Sequence, residues 1–320
     1  VKALALLSGG LDSLLAAKLI LVQGIEVIGV GFSSPFFSTK KSKKAALQLG
    51  IPLIEVDITE EVIQLLKGPK HGFGRHMNPC VDCHTLMVRK AGEMMKKQGA
   101  SFLITGEVLG ERPKSQNRQA LEVVSRESGF DGYVLRPLSA KLLSLTIPEK
   151  KGWVEREKLL DIQGRSRRRQ MALAKEMSIK DYPTPAGGCL LTDPAFSSRL
   201  RQLKEFNSSF QASDANLLKL GRHFWFNKAW VVVSRNESEN GEIEKFWEEG
   251  DYLVLVKNFP GPIGLVRGEP SDKELREALA LVARYSKGRD APRLTGVVKQ
   301  KSGEEKTFEV KQEDWLKYVR

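Results

Sequence analysis

The sequence predicts an α/β protein: a doubly wound parallel sheet followed by a smaller C-terminal α+β domain. Three observations carry that expectation. Short apolar runs at 1–7, 26–32, 51–57 and 101–104 alternate with stretches of helical spacing, the pattern of strands joined by crossover helices. The first run ends in Ser8-Gly9-Gly10-Leu11-Asp12-Ser13, and a helical pattern follows at once. The last third changes character, with strands at 229–233 and 252–256, a helix at 273–286 and a hairpin within 295–310.

Val1 to Leu7 reads as a buried strand, Ser8 to Gly10 as a turn and Leu14 to Val22 as a helix that Gly24 stops. Helix N-termini carry unpaired N–H groups and a partial positive charge. Glycines let a phosphate approach that backbone. A carboxylate beside phosphate is unfavourable unless a cation or a proton transfer is involved, so Asp12 points to magnesium or acid–base work. The plain alternative is an ordinary strand-to-helix turn with Asp near the helix start.

Glu26 to Phe32 reads as the second strand, Lys40 to Leu49 as a helix and Ile51 to Asp57 as the third strand. Ligands of such sheets bind beyond the carboxyl ends of the strands, where Gly31, Phe32 and Ser33 fall. Phe36 and Phe37 read as packing residues. Residues 68–77 are glycine-rich and aperiodic, a surface loop. Thr85 to Gly99 reads as a helix, Ser101 to Ile104 as the fourth strand and Tyr133 to Leu135 as the fifth, with a short helix within 143–164. Arg165-Ser166-Arg167-Arg168-Arg169 opens a helix reaching about Met177. Its arginines suit an RNA phosphate, or make a solvated basic face.

Hydrophobic content of 41% and charged content of 28% fit a soluble globular chain of two or three domains. No apolar run reaches membrane-spanning length, and Val1 to Leu7 runs directly into the motif without a signal-peptide pattern. The expectation is a cytoplasmic protein with no membrane partner. A net charge of +12 favours a polyanionic partner, nucleic acid first and an anionic membrane second; solubility is the plainer explanation.

Only three cysteines occur, Cys80, Cys83 and Cys189, which argues against a disulfide scaffold. Cys80-Val81-Asp82-Cys83 reads as a redox pair, a zinc half-site, an iron–sulfur half-site or a persulfide carrier. Zinc would have to recruit His76 or His84. Cys189 closes a Pro/Gly-rich stretch, Tyr182 to Gly188, that reads as a rigid, exposed loop.

Ser8 to Ser13 resembles the PP-loop signature of the ATP pyrophosphatases, which have an adenine nucleotide alpha hydrolase-like fold. That family splits ATP between its α and β phosphates and leaves AMP on a substrate atom. Asn78-Pro79-Cys80 with Cys83 resembles the Asn-Pro-Cys-x-x-Cys/Asn stretch of tRNA 2-thiouridylases. Thr105 to Gln116 resembles the Thr-Gly-Glu-Ser-Leu-Gly-Gln-Val-x-Ser-Gln stretch of tRNA 4-thiouridine synthases, with Glu111 in place of the usual Gln, a departure at Arg112-Pro113 and the pattern restored at Ser115-Gln116. Arg136-Pro137-Leu138, with Lys141 downstream, resembles the Arg-Pro-Leu segment of the same synthases.

The resemblance implies ATP and magnesium at Ser8, Gly9, Gly10, Asp12 and Ser13, with Phe32, Gly106, Ser115 and Gln116 completing the nucleotide site. It implies catalytic roles for Asp12, Cys80, Cys189 and Lys141, the last neutralising phosphate charge. It also implies a 4Fe–4S cluster on Cys80, Cys83 and Cys189, whose open iron carries sulfur. A persulfide on Cys80 resolved by Cys189 is the rival scheme.

The last third resembles the small RNA-binding module of the NFACT proteins through Gly221-Arg222, Arg235-Asn236-Glu237, Gly261-Pro262 and Tyr285-Ser286-Lys287. Basic residues interleaved with Trp225, Phe226 and Tyr285 suit phosphates and stacked bases, whereas Trp230 and Trp247 read as core. The expected organisation is a PP-loop domain at 1–180, a loop with Cys189 at 181–192 and an RNA-binding domain at 193–320. The expected function is an ATP-dependent tRNA sulfurtransferase that adenylates a uridine carbonyl oxygen and replaces it with sulfur, 4-thiouridine favoured over 2-thiouridine. Its partners are tRNA, held by Arg165, Arg167, Arg168, Arg169, Arg222, Arg235 and Lys287, and a sulfur donor, sulfide or a carrier protein. Its oligomeric state is open, a homodimer included. A non-catalytic RNA-binding protein on a nucleotide-binding fold is the competing class.

Overall fold

The structure is a computed structural model that describes residues 1–183 and 188–318. Residues 184–187, part of the loop expected before Cys189, lie outside the described residues. The chain divides into two compact units after Ser197.

The first unit runs β1 (Lys2–Leu6), α1 (Leu11–Leu21), β2 (Glu26–Ser33), α2 (Lys40–Leu49), β3 (Leu53–Asp57), α3 (Thr59–Lys67), α4 (Cys80–Lys97), β4 (Phe102–Ile104), α5 (Arg118–Glu127), β5 (Val134–Leu135), α6 (Ile147–Lys150) and α7 (Arg168–Glu176). Its five strands are ordered β3-β2-β1-β4-β5, and every pairing is parallel, Leu4 opposite Ile28 on one side and Leu103 on the other. Strand order reverses between β1 and β4, the switch point at which such sheets open a crevice. Burial explains the strands' near-continuous apolar runs: Ala3, Leu4, Phe102 and Leu103 are fully enclosed because helices cover both faces. The central α1 is buried around most of its circumference, from Leu11 through Leu15 and Ala16 to Ile20.

Two helices begin earlier than the periodicity predicts. The first starts at Leu11, so Leu11-Asp12-Ser13 of the motif forms its first turn. The fourth starts at Cys80, not Thr85, so Cys80 and Cys83 sit in its first turn and on one face. Cys, Asp and His are weak helix formers, which hides that turn from a periodicity reading. The short helices α3 and α5 also fall where no element is expected from the sequence.

The second unit takes up the rest of α8 (Pro194–Phe206) and continues as α9 (Ala212–Leu217), β6 (Arg222–Trp225), β7 (Ala229–Val233), α10 (Glu237–Glu244), β8 (Tyr252–Val256), β9 (Gly264–Gly268), α11 (Asp272–Tyr285), β10 (Arg293–Gln300), β11 (Glu305–Lys311) and α12 (Gln312–Leu316). Its six strands form one antiparallel sheet ordered β11-β10-β8-β9-β7-β6. The helix α11 packs Leu275, Leu279 and Val282 on Val231, Val254, Val266 and Val298. A capping box of Ser271 and Glu274 starts that helix. The turn expected across 234–240 is shorter than that, because Asn236 caps α10 by accepting a hydrogen bond from the Glu239 amide.

Candidate active site

Backbone and side chains build the motif loop in a tight order. The Ser8 hydroxyl oxygen accepts from the Gly10 amide at 3.2 Å and donates to the Ser13 hydroxyl at 3.1 Å, which in turn donates to the Gly10 carbonyl at 2.8 Å. Gly10 caps α1 without any side-chain hydrogen bond, so the first amides of the helix keep their donors for a ligand. Gly9 has φ +76° and lies against the Lys41 backbone, where a Cβ would stand 2.4 Å from the Lys41 carbonyl carbon. Gly106, just past β4, is as close to α1: a Cβ there would stand 2.4 Å from the Ser13 amide nitrogen. These two contacts press the loop between β2–α2 and β4.

A cavity of about 360 Å³ opens over this loop. Ser8, Gly10, Asp12, Ser13, Phe32, Gly106 and Gln116 line it, and so do all three cysteines, Cys80, Cys83 and Cys189. Cys80 and Cys189, 109 positions apart in sequence, therefore meet at one site, since Cys189 is followed by Leu190, whose amide donates to the Phe36 carbonyl at 3.0 Å. Asn78 donates from Nδ2 to the Cys80 sulfur at 3.1 Å. Burial, and then the charges of Cys189 and Cys80, push the Cys83 thiol up strongly; burial, with Cys80 adding to it, pushes Cys189 up to about 11. Such thiols stay protonated at neutral pH unless a bound cation displaces the proton to solvent.

Two carboxylates face the phosphate end. Burial raises Asp12 against the pull of Arg167, whose Nη2 is 3.9 Å away. Burial raises Glu111 too, and the Asp12 charge adds to it. Asp12 Oδ1, Glu111 Oε2, Gln116 Oε1 and Arg167 Nε are buried without hydrogen-bond partners, which marks them as groups that await a polar ligand.

Behind the cysteines lies an ion network that the sequence reading did not assemble. Glu107 is 7% exposed and accepts from His84 Nδ1 at 2.8 Å, Arg136 Nε at 2.9 Å and Thr105 Oγ1 at 3.1 Å. Arg136 goes on to the Ser125 hydroxyl and the Leu121 carbonyl. Burial alone would raise Glu107, but the Arg136 charge and the His84 hydrogen bond outweigh it and hold the carboxyl at about 2. The folded state thus titrates below the unfolded value near 4.5. This carboxylate stabilises the fold by about 3 kcal/mol above pH ~4.5, and the contribution is lost as pH falls towards 2. In Glu107→Gln, urea unfolding at pH 7 and pH 3 should show a stability difference between the two pH values smaller than in the parent by a kcal/mol or more.

The remaining predicted residues fall in several places. Lys141 does not reach the cavity; its Nζ donates to the Glu157 carbonyl at 2.9 Å, because the short turn after β5 carries it away from the crevice. Ser115 is buried, 1% exposed, behind the wall that Gln116 lines. Of the arginine run, Arg167 enters the cavity and Arg169 pairs with Asp161 at 2.6 Å, while Arg165 and Arg168 are exposed. Lys41 lines the cavity without having been singled out. A signal existed: α2 opens with Lys40 and Lys41 and no acidic residue, an unfavourable pairing with the helix dipole unless an anion is nearby. Phe36 packs edge-on against Phe196 at 5.9 Å, as a packing residue should.

In the second unit, Trp225 stacks flat on the fully buried Trp230 at 5.1 Å and meets Phe206 at 5.7 Å, and Phe226 packs against the core. Those rings serve the interior more than a base. Arg222 lies 4.3 Å over the Tyr285 ring, Arg235 pairs with Glu239, and Lys287 is exposed.

A glycine turn between a parallel strand and an uncapped helix, set at the sheet's switch point, is the arrangement in which α/β proteins receive phosphates. Residues 1–141 match the family model described as thiamine biosynthesis protein (ThiI), and residues 221–317 match that of the NFACT protein RNA binding domain. Two different family models thus match two separate stretches of the chain, one in each unit. The chain is 36% identical over 121 residues to a tRNA-specific 2-thiouridylase MnmA of Syntrophotalea carbinolica, covering 32% of this chain and 33% of that protein. It is 32% identical over 146 residues to a probable tRNA sulfurtransferase of Thermococcus kodakarensis, covering 43% of this chain and 36% of that one. The chain therefore spans about a third of the length of these curated relatives. A crystal structure of a 4-thiouridine synthetase–RNA complex with bound ATP aligns with a TM-score of 0.37 at 22% identity, over 67% of this chain and 53% of that one. No helix among the described residues is long and apolar enough to cross a membrane.

Proposed function

We propose that this chain is an ATP-dependent tRNA sulfurtransferase, with 4-thiouridine the favoured product. The observation that carries the reading is the shared cavity: the phosphate loop and all three cysteines line it together. An enzyme that only ligates through AMP has no need of three thiols beside its α-phosphate.

ATP lies with its phosphates on the amides of Gly10 and the first turn of α1, and the β2 end around Phe32 receives the adenine. Lys41, Arg112 and Arg167 supply the positive charge that the phosphates require. Asp12 and Glu111, each with a buried oxygen lacking a partner, fit a magnesium ion, which is commonly held by one or two carboxylates plus phosphate oxygens. The uridine carbonyl oxygen bonds to the α-phosphorus as the bond to the bridging oxygen breaks and pyrophosphate leaves. Sulfur then attacks the same ring carbon, and AMP departs with the original oxygen. Because the reacting base has to leave its stack, the second unit holds the RNA meanwhile.

Among the described residues, no three His, Cys, Asp or Glu side chains converge tightly enough for a single metal ion. Three thiols spread over a cavity wall fit a larger body, and Cys80, Cys83 and Cys189 are the residues that would hold a 4Fe–4S cluster. Such a cluster supplies one iron with an open position for sulfur. The chain's own contribution is to bring the three thiols to one cavity wall, with Asn78 bonded to the Cys80 sulfur and Leu190 tied to Phe36.

The test is mass spectrometry of nucleosides from tRNA incubated with ATP, sulfide and anaerobically purified protein. A uridine carrying sulfur for oxygen, formed only with ATP, is the expected result. Tightly bound tRNA without any thiolated nucleoside would instead favour the non-catalytic RNA-binding reading.

A further inference from the structure

Of all aromatic rings described in the second unit, one alone is exposed: Phe259, at 40%. Trp225, Phe226 and Tyr285, the rings that sequence favours, are all partly covered by neighbours. Phe259 sits at the tip of the β8–β9 loop, and its backbone setting is stiff. Asn258 before it takes the left-handed conformation, φ 66°, and Pro260 and Pro262 follow it, each with a fixed φ. The Pro260 carbonyl accepts from the Lys287 amide at 2.9 Å. Gly261 lies so close to Ser286 that a Cβ would stand 2.7 Å from the Ser286 Cβ. The ring itself rests on Gly288, whose missing side chain makes room for it: a Cβ there would be 2.8 Å from the ring.

A bare ring held over backbone would be a liability on a surface with no partner, since it leaves apolar area in water. Its surroundings identify the partner. Lys257 in the same loop, and Lys287 and Arg289 in the turn beneath, are all exposed. Arg222 and Arg284, which pack on Tyr285 at 4.3 and 5.3 Å, extend the basic surface. An exposed ring among cations is the arrangement that binds single-stranded nucleic acid: the base stacks, and the cations meet the flanking phosphates. A duplex has no free base face to offer such a ring.

We propose that Phe259 is the base-stacking platform of the second unit, taking one unstacked nucleobase of an RNA while Lys257, Lys287 and Arg289 hold the adjoining phosphates. This rests on the RNA-binding reading of that unit. The loop is preorganised, so little ordering entropy opposes binding.

The experiment uses the full chain and two probes, a single-stranded RNA oligonucleotide with a central 2-aminopurine and a fully paired RNA duplex of equal length. The wild-type protein should quench the 2-aminopurine. Phe259→Ala should lose the quench and weaken single-strand binding about tenfold, with duplex affinity unchanged. Phe259→Trp should retain both signals, which separates lost stacking from a damaged fold. Equal single-strand affinity of Phe259→Ala and wild type, or no quench by wild type, would overturn the assignment while the unit still binds RNA. Binding of neither probe by wild type would overturn it together with the RNA-binding reading. Thiolation of tRNA by a Phe259→Ala protein at saturating RNA reports on the enzyme reading separately.

Discussion

Cys189→Ala should abolish tRNA thiolation, to below about one thousandth of the parent rate, while release of pyrophosphate from ATP persists. The thiol lies in the same cavity as Cys80 and Cys83; burial, with the charges of Cys189 and Cys80, raises Cys83, and burial, with Cys80, raises Cys189. The phosphate loop makes no hydrogen bond to it. Adenylation and sulfur transfer therefore separate cleanly at this residue. Cys83→Ala distinguishes the two sulfur schemes. A cluster held by three thiolates loses activity on loss of any one, whereas a persulfide on Cys80 resolved by Cys189 leaves Cys83 without a chemical task. We expect Cys83→Ala to be as inactive as Cys189→Ala, as measured by thionucleoside mass spectrometry beside a pyrophosphate assay. Thiolation retained in Cys189→Ala would rule out both schemes.

Gly106→Ala should weaken ATP binding at least about a hundredfold and destabilise the first unit by about 1–3 kcal/mol. The added methyl would stand 2.4 Å from the Ser13 amide nitrogen and 2.6 Å from the Asp12 carbonyl carbon. Both are backbone atoms and cannot rotate away. The first turn of α1 has to shift, and with it the amides proposed to receive the phosphates. Gly241→Ala is the matched control: it lies inside α10 with open space around its Cβ position, and alanine favours a helix over glycine there. Calorimetric titration with ATP and a thermal melt of each variant check both halves of the expectation.

The fold was legible wherever burial and period agree. The parallel strands read as apolar runs because helices cover both faces, and α2 and β8 fall at their expected bounds. Elements built from polar residues were not. The first turn of α4 is Cys-Val-Asp-Cys, and β6 is Arg-His-Phe-Trp, runs whose identity comes from what packs on them. At the cavity, local motifs pointed to the Ser8–Ser13 turn and to the three cysteines, which line it together. What they could not find was distance closed by folding: Arg167 beside Asp12, Lys41 against Gly9, and the His84–Glu107–Arg136 network. Lys141, just past the fifth strand, donates to the Glu157 carbonyl, a partner that no local motif announces.

The bond from Leu190 to the Phe36 carbonyl has a consequence for the growing chain. All five strands of the first sheet are complete by Leu135, so the nucleotide fold can close early during synthesis, when N-terminal domains fold first. Arg167 and Cys189 arrive later and seat themselves on a sheet already made. A fragment ending at residue 141, the reach of the ThiI match, would hold every strand and the phosphate loop yet lack the third thiol. Under the proposed function, chemistry on sulfur would wait until the last segment of the unit has emerged, and a truncated product would lack the third thiol of the cavity.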